Sequence, residues 1–382
     1  MMKNRFFFYC MILTAMVCQS CEPMIEPSVD FKATPYDFNV PPYFPTQLNI
    51  EADNPLTVEG VELGRYLFYD GRLRGYIGNN PDSLMSCATC HVQEHGFECG
   101  MDNPRFPNGK TVGVTGISTP HSMMPLCNLI FNHNGYFWNG VIRPSNPNAQ
   151  QRTLEDVTAM GVAAPHEMNS TMARSVNAIA SISLYPPMFK AAFGTEEVTA
   201  ERIQKAIGQF VRILVSSNSK FDRYRRGEVQ LSAEELQGYV LFITEEGADC
   251  FHCHGGDGNM LTTTNLFYNN GLDTVFIDPR DRFSVTFNEN DKGAYRVPSL
   301  RNIAVTAPYM HDGRFKTLDE VIDFYSDGVK NSPYVHPLMH KATQGGAMLT
   351  PLQKRQLKAF LLTLTDEEFL TNPKFSKPKG FP

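Results

Sequence analysis

Cys87-Ala-Thr-Cys90-His91 and Cys250-Phe-His-Cys253-His254 are the two stretches on which the fold turns. Two thiols at this spacing can add to both vinyl groups of one porphyrin while the adjoining imidazole reaches its iron, so each stretch reads as a covalent c-type haem site. Zinc ribbons and redox disulfides also use Cys-x-x-Cys, and zinc is the main alternative. Neither explains a His directly after the second Cys in both copies. His91 and His254 are then the proximal iron ligands, and His252, inside the second motif, is a bystander by the geometry of such a loop.

A chain of 382 residues is long for one compact core, and two haem motifs far apart in sequence agree with two domains of ordinary size. With 34 Lys+Arg against 40 Asp+Glu the net charge is -6, which leaves no basic footprint for nucleic acid. Lys3 and Arg5 precede an apolar run from Phe6 to Val17 that is too short to span a bilayer and reads as the core of an export signal. That places the mature protein in the periplasm or cell envelope. The run ends in Cys18-Gln19-Ser20-Cys21, where a small residue before Cys resembles a lipoprotein processing site with a lipid anchor on Cys21; a simple secreted form is the alternative. Cys99 and Cys127 remain after the haem and signal cysteines are removed, either as a disulfide or as two buried thiols.

Residues 22–55, rich in Pro, Asn and Asp, read as a tether and extended arm after the signal at 1–21, with folded structure from about Leu56. Val58, Val61, Leu63, Leu67 and Phe68 predict a helix over Thr57–Tyr69, and the capping box Ser232-x-x-Glu235 opens another. Thr199–Val215, Thr317–Tyr325 and Thr350–Leu364 are further helices, so the fold class is all-α with little β structure. Long Gly/Asn/Pro stretches at Gly100–Met124, Asn139–Gln151 and Asn259–Gly293 fit loops packed on a cofactor. The halves share the order helix, haem motif, long loop, with no residue-by-residue repeat legible beyond the motifs. The expected division is 56–198 for one haem domain, 199–370 for the other, and a tail at 371–382.

The flanking sequence resembles the bacterial di-haem cytochrome c peroxidase family, which includes the enzyme that matures methylamine dehydrogenase. The resemblance rests on Leu63-Gly64-Arg65-Tyr66-Leu67-Phe68-Tyr69-Asp70, Phe137-Trp138-Asn139-Gly140 and Pro165-His166-Glu167-Met168 in the first half. In the second it rests on Val297-Pro298-Ser299-Leu300-Arg301-Asn302-Ile303 and Thr306-Ala307-Pro308-Tyr309-Met310-His311-Asp312-Gly313. It implies two cytochrome c-like helical domains, each enclosing one haem c attached at Cys87 and Cys90 or at Cys250 and Cys253. The haem of His91 would react with peroxide and that of His254 would pass electrons.

Glu167 matches the family's distal glutamate, suited to carrying a proton from the near to the far oxygen of peroxide. Trp138, the sole tryptophan, falls on the residue between the haems and would relay an electron. His311 matches a histidine that hydrogen-bonds a haem propionate. Tyr325 stands where the second axial ligand of the C-terminal haem is expected, with Met310 as the alternative. Thr306 and Pro308 carbonyls match a calcium site whose third ligand, usually Asn, falls near Ser122 here. Two departures stand out. Val157 replaces a frequent distal glutamine, for which Gln150 or Gln151 could substitute, and Gly96–Pro120 lacks the histidine that blocks the N-terminal iron in many members. An open N-terminal haem is therefore expected, with His95 and His121, at the loop's edges, as the residues able to close it.

The resemblance implies a peroxidase that reduces hydrogen peroxide with electrons from a small cytochrome c or similar periplasmic donor. The alternatives are a peroxide-dependent oxidase of a protein or organic substrate, and a non-enzymatic electron-transfer cytochrome. Analogy alone adds a homodimer.

Overall fold

The computed structural model describes residues 31–75, 84–142 and 152–381. The export signal and Cys21, and Gln150 and Gln151, lie outside the described residues. Ala33–Pro382 form one compact unit. Its helices in chain order are α1 (Val58–Tyr69), α2 (Cys87–Cys90), α3 (Leu154–Ala163), α4 (Met172–Ala180), α5 (Tyr185–Phe193), α6 (Ala200–Arg212) and α7 (Lys220–Arg225). There follow α8 (Ala233–Ile243), α9 (Phe251–His254), α10 (Phe283–Thr286), α11 (Leu318–Asp323), α12 (Pro351–Leu362) and α13 (Glu367–Thr371). One two-residue antiparallel pair, β1 (Phe267–Tyr268) with β2 (Tyr295–Arg296), is the named sheet among the described residues.

Each predicted helix starts where its cap is written. Thr57 accepts from Gly60 N, and Ser232, Thr317 and Thr350 form reciprocal capping boxes with Glu235, Glu320 and Gln353. Two further boxes, Thr153 with Asp156 and Ser219 with Asp222, open α3 and α7.

The structure extends the shared order of helix, motif and loop to individual residues. In each half the helix before the haem motif crosses the helix that ends the half, α1 on α6 and α8 on α12. Both crossings need a glycine: a Cβ on Gly64 would lie 1.9 Å from Ala206 O, and one on Gly238 would lie 1.9 Å from Gln356 O. Phe210 and Phe360, four residues further on, press against the same glycines. Next, Asn128 and Asn302 both take positive φ (63° and 59°) and donate their N–H to Leu214 O and Leu364 O.

The loops that follow match residue for residue. Tyr136-Phe137-Trp138-Asn139-Gly140 and Tyr309-Met310-His311-Asp312-Gly313 both begin on a one-residue antiparallel bridge and turn at a positive-φ second residue, Phe137 or Met310. Nine more residues separate this turn from α3 than from α11, so the helices are matched by their N-caps, Thr153 with Thr317, and eight residues past each cap stand Gly161 and Tyr325. By its packing α6, expected to open the second domain, completes the first repeat, and α12 is its counterpart.

The hydrophobic core runs through both repeats, from Leu63, Phe68 and Phe210 to Tyr239, Phe242 and Phe360. Folded structure also reaches past the expected limits at both ends. In the arm, Phe44 is buried, and buried Asn49 gives its carbonyl to Arg212 Nε at 2.7 Å. In the tail, Phe375 is buried, Tyr69 donates to its carbonyl, and Phe381 stacks edge-on against Tyr66. Apolar side chains placed sparsely among prolines account for this packing, which no helical or strand period signals. Cys99 and Cys127 are both buried free thiols, as one of the two sequence alternatives had it.

Candidate functional site

The first motif forms the single turn α2, closed by Ser86 N donating to Thr89 Oγ1 and His91 N donating to Cys87 O. His91 Nδ1 lies 2.7 Å from Phe97 O. A carbonyl can only accept, so Nδ1 carries the proton and Nε2 keeps the lone pair that a metal would take. Burial pulls His91 down to about 4 and pushes the Cys87 thiol up to about 12, so the imidazole is neutral and the thiol protonated at neutral pH.

Glu167 sits beside this turn, close enough that its charge raises Cys87 and Cys90. Its backbone is clamped: Val114 N donates to Glu167 O, Thr115 Oγ1 to Pro165 O, and Arg74 Nε to Met168 O. A Cβ on Gly113 would strike the His166 carbonyl carbon at 2.3 Å, so the loop can approach this turn only as glycine. The Glu167 side chain is 31 % exposed, which keeps it in reach of solvent, yet desolvation raises its pKa above the usual carboxylate value. A Cβ on Gly161 would lie 2.8 Å from Glu167 Oε2. The carboxylate thus occupies room that any side chain at the first repeat's counterpart of Tyr325 would take.

The second motif forms α9, where His254 Nδ1 donates to Thr262 O at 3.1 Å and burial again lowers the imidazole to about 4. Cys250, Cys253 and His254 line one cavity together with Trp138, Arg296, Met310, His311 and Tyr325. Tyr325 lies in a π-helical turn, Phe324–Gly328, that continues α11; such widened turns recur at functional sites. Its hydroxyl accepts from Asn270 Nδ2 at 2.9 Å, and Met310 Sδ lies 3.8 Å from the same amide nitrogen. Both sequence candidates for the sixth position therefore face the cavity that holds His254.

Between the halves stands a cluster of rings. Trp138 and His311, counterparts in the repeat, lie 6.5 Å apart between ring centres, and His311 stacks on Tyr295 at 3.7 Å and 12°. Trp138 Nε1 donates to Ser122 O, while Ser122 N and Oγ donate to His311 O and Met310 O. Ser122 thus touches the turn that follows Thr306 and Pro308. His121 Nε2 meets Asp278 Oδ2 at 2.5 Å, and His95 bridges Val305 O and Asp102. Val157 packs on the core.

Two residues escaped the sequence reading. Arg296 is buried in the second cavity, held by Asn265 Oδ1, and burial lowers it to about 10; among the described residues no carboxylate pairs with it. An uncompensated guanidinium in an apolar cavity suits a group bearing its own carboxylates, as a haem does. Glu98 is 1 % exposed, has an unpartnered Oε1 and is pushed up to about 8 by desolvation. The available signals were an arginine beside Val297-Pro298 and an acid between Phe97 and Cys99.

Two helical repeats, each built around a Cys-x-x-Cys-His turn with its imidazole oriented and neutral, define a di-haem c-type fold. Residues 58–230 match the family described as di-haem cytochrome c peroxidase. The chain is 32 % identical to the methylamine utilization protein MauG of Methylorubrum extorquens, over 82 % of this chain and 80 % of the relative. It is 33 % identical to cytochrome c551 peroxidase of Nitrosomonas europaea, over 72 % and 75 %. A solved MauG-like protein associated with microbial copper homeostasis shares 34 % identity with a TM-score of 0.74, covering 90 % of this chain and 99 % of that one. This chain belongs to the di-haem cytochrome c peroxidase family, and is an oxidoreductase for which membership implies two c-type haems.

Proposed function

We propose that this protein is a cell-envelope enzyme that reduces hydrogen peroxide to water beside His91, with Glu167 as the group that moves the proton. The observation that carries this reading is the pairing of Gly161 with Glu167. Where the second repeat has Tyr325, the first has no side chain, and a carboxylate stands in the room so left. When bound, the two haems supply the oxidising centre and the store of electrons. The overall balance is H2O2 + 2 H+ + 2 e− giving two waters. Glu167 takes a proton from the near oxygen and delivers it to the far one, so that water leaves instead of hydroxide.

Trp138 and His311, 6.5 Å apart, stand in the cluster of rings between the repeats, and Trp138 relays the electrons. A small cytochrome c or similar periplasmic protein donates them. The same reading includes a lipid anchor at Cys21, a homodimer, and a calcium ion on the carbonyls of Thr306 and Pro308 with Ser122 nearby. The test is steady-state peroxide consumption with a reduced small cytochrome. Glu167→Gln is expected to lose at least about 100-fold with haem content unchanged; a loss of only a few-fold removes the role.

Tyr325 favours a second reading that keeps the peroxide chemistry and changes the reductant. A phenolate ligand stabilises ferric iron relative to Met, which suits oxidation of a substrate more than easy storage of electrons. A protein or organic substrate AH2 would then supply both electrons and both protons, giving A and two waters. The likeness to MauG and to the MauG-like protein supports it. Peroxide turnover that reduced cytochrome leaves unchanged would favour this reading over the first.

A further inference from the structure

His252 lies inside the second haem motif, where haem attachment has no use for it. Its ring meets that of His340 at 4.8 Å and 88°, and its Nε2 faces Glu245 Oε1 at 3.6 Å. One ligand atom each from Glu245, His252 and His340 lie within 4.8 Å of one another. Behind them stands Asp249, whose side chain is only 8 % exposed and whose Oδ1 has no hydrogen-bond partner. Asp249 Oδ1 lies 3.6 Å from His252 Nδ1, and its Oδ2 lies 3.9 Å from His340 Nδ1.

A buried carboxylate facing the Nδ1 of two imidazoles at 3.6 and 3.9 Å is placed to take both Nδ1 protons on a small closure, which would leave each Nε2 to a cation. That is the carboxylate–histidine arrangement found behind zinc-binding histidines. A tetrahedral site with arms of about 2.0–2.1 Å has edges of about 3.3 Å, so the 3.6 Å separation of His252 Nε2 and Glu245 Oε1 needs little closure. Two imidazoles and a carboxylate are the donor set of a borderline first-row divalent cation, whereas calcium prefers oxygen alone. Lys341, the neighbouring cation, is turned aside with its Nζ on Gly247 O at 2.6 Å.

We propose that Glu245, His252 and His340 form a binding site for a zinc-class divalent cation, with Asp249 as the carboxylate that orients the two histidines. The site joins the turn that carries the second haem motif to the loop whose Met339, Lys341 and Ala342 line the same cavity. A bound cation therefore braces that loop against the haem-attachment turn. His340 and Glu245 are exposed and lie outside the haem machinery, so they can be replaced without disturbing attachment.

The test is equilibrium dialysis of the haem-loaded full chain, freed of any affinity tag, against Zn2+ with calcium in excess, with metal counted by mass spectrometry. Wild type is expected to hold one saturable equivalent, and His340→Ala and Glu245→Gln are each expected to bind it at least about tenfold more weakly. Haem content and haem absorption should match wild type in both. Absence of saturable binding in wild type, or wild-type affinity in either variant, would overturn the site.

Discussion

Glu167 owes its character to neighbours that are small. Gly113 lets a loop lie on its backbone, and Gly161 leaves space for its carboxylate. Gly161→Ala should therefore fold normally, because the atom it displaces is the end of a flexible side chain, yet lose peroxide turnover by about tenfold or more. Thermal melts and steady-state rates on the same preparation check both halves of that expectation. Desolvation also sets a pH dependence. Glu167 must be ionised to accept a proton and its pKa is raised, so kcat/KM should fall as pH drops through a value above the ordinary ~4.3 of a glutamate. A pH profile of Glu167→Gln should lack that limb. The sequence supplied Glu167 through its Pro-x-Glu-Met setting, but not Arg296 or Glu98. Their importance comes from burial produced by distant segments, which local pattern cannot express.

At the level of elements, caps and glycines determine how helices begin and how closely they cross. Gly64→Ala and Gly238→Ala would each drive a methyl into a backbone carbonyl of the facing helix, which cannot swing away. Each should cost about 1–3 kcal/mol, read as a lowered midpoint in denaturant melts. The buried Arg212–Glu155 pair ties α6 to α3, the helix that leads into the Glu167 turn, through contacts of 2.5 and 2.9 Å. Glu155→Ala leaves a guanidinium uncompensated and should destabilise by about 3–5 kcal/mol, more than the glycine variants. Helices α1, α6, α8 and α12 were legible because their caps and apolar stripes are local. Helices α4 and α5 were not: α4 is nine residues with no acidic first turn, and α5 opens on Tyr-Pro-Pro, which reads as a loop.

Across the whole molecule, one repeated plan has been given unequal sites. The sequence shows the duplication as a shared order of helix, motif and loop but not residue by residue, because beyond the haem motifs only scattered Gly, Asn, Phe, Tyr and Thr at crossings, turns and caps are shared, with loops of different length between them. Matched turn to turn and cap to cap, the repeats pair Trp138 with His311 and Gly161 with Tyr325, so corresponding positions carry different residues. On the proposed reading, unequal substitution at matched positions leaves the side of His91 open to peroxide and the side of His254 closed by Tyr325. The measurement that tests this most directly is electron paramagnetic resonance of the oxidised, haem-loaded protein, wild type beside Tyr325→Phe. The account predicts one high-spin signal from the site of His91 and one low-spin signal from the site of His254, the latter turning high-spin in Tyr325→Phe. Two low-spin signals in wild type, with no high-spin component, would contradict it.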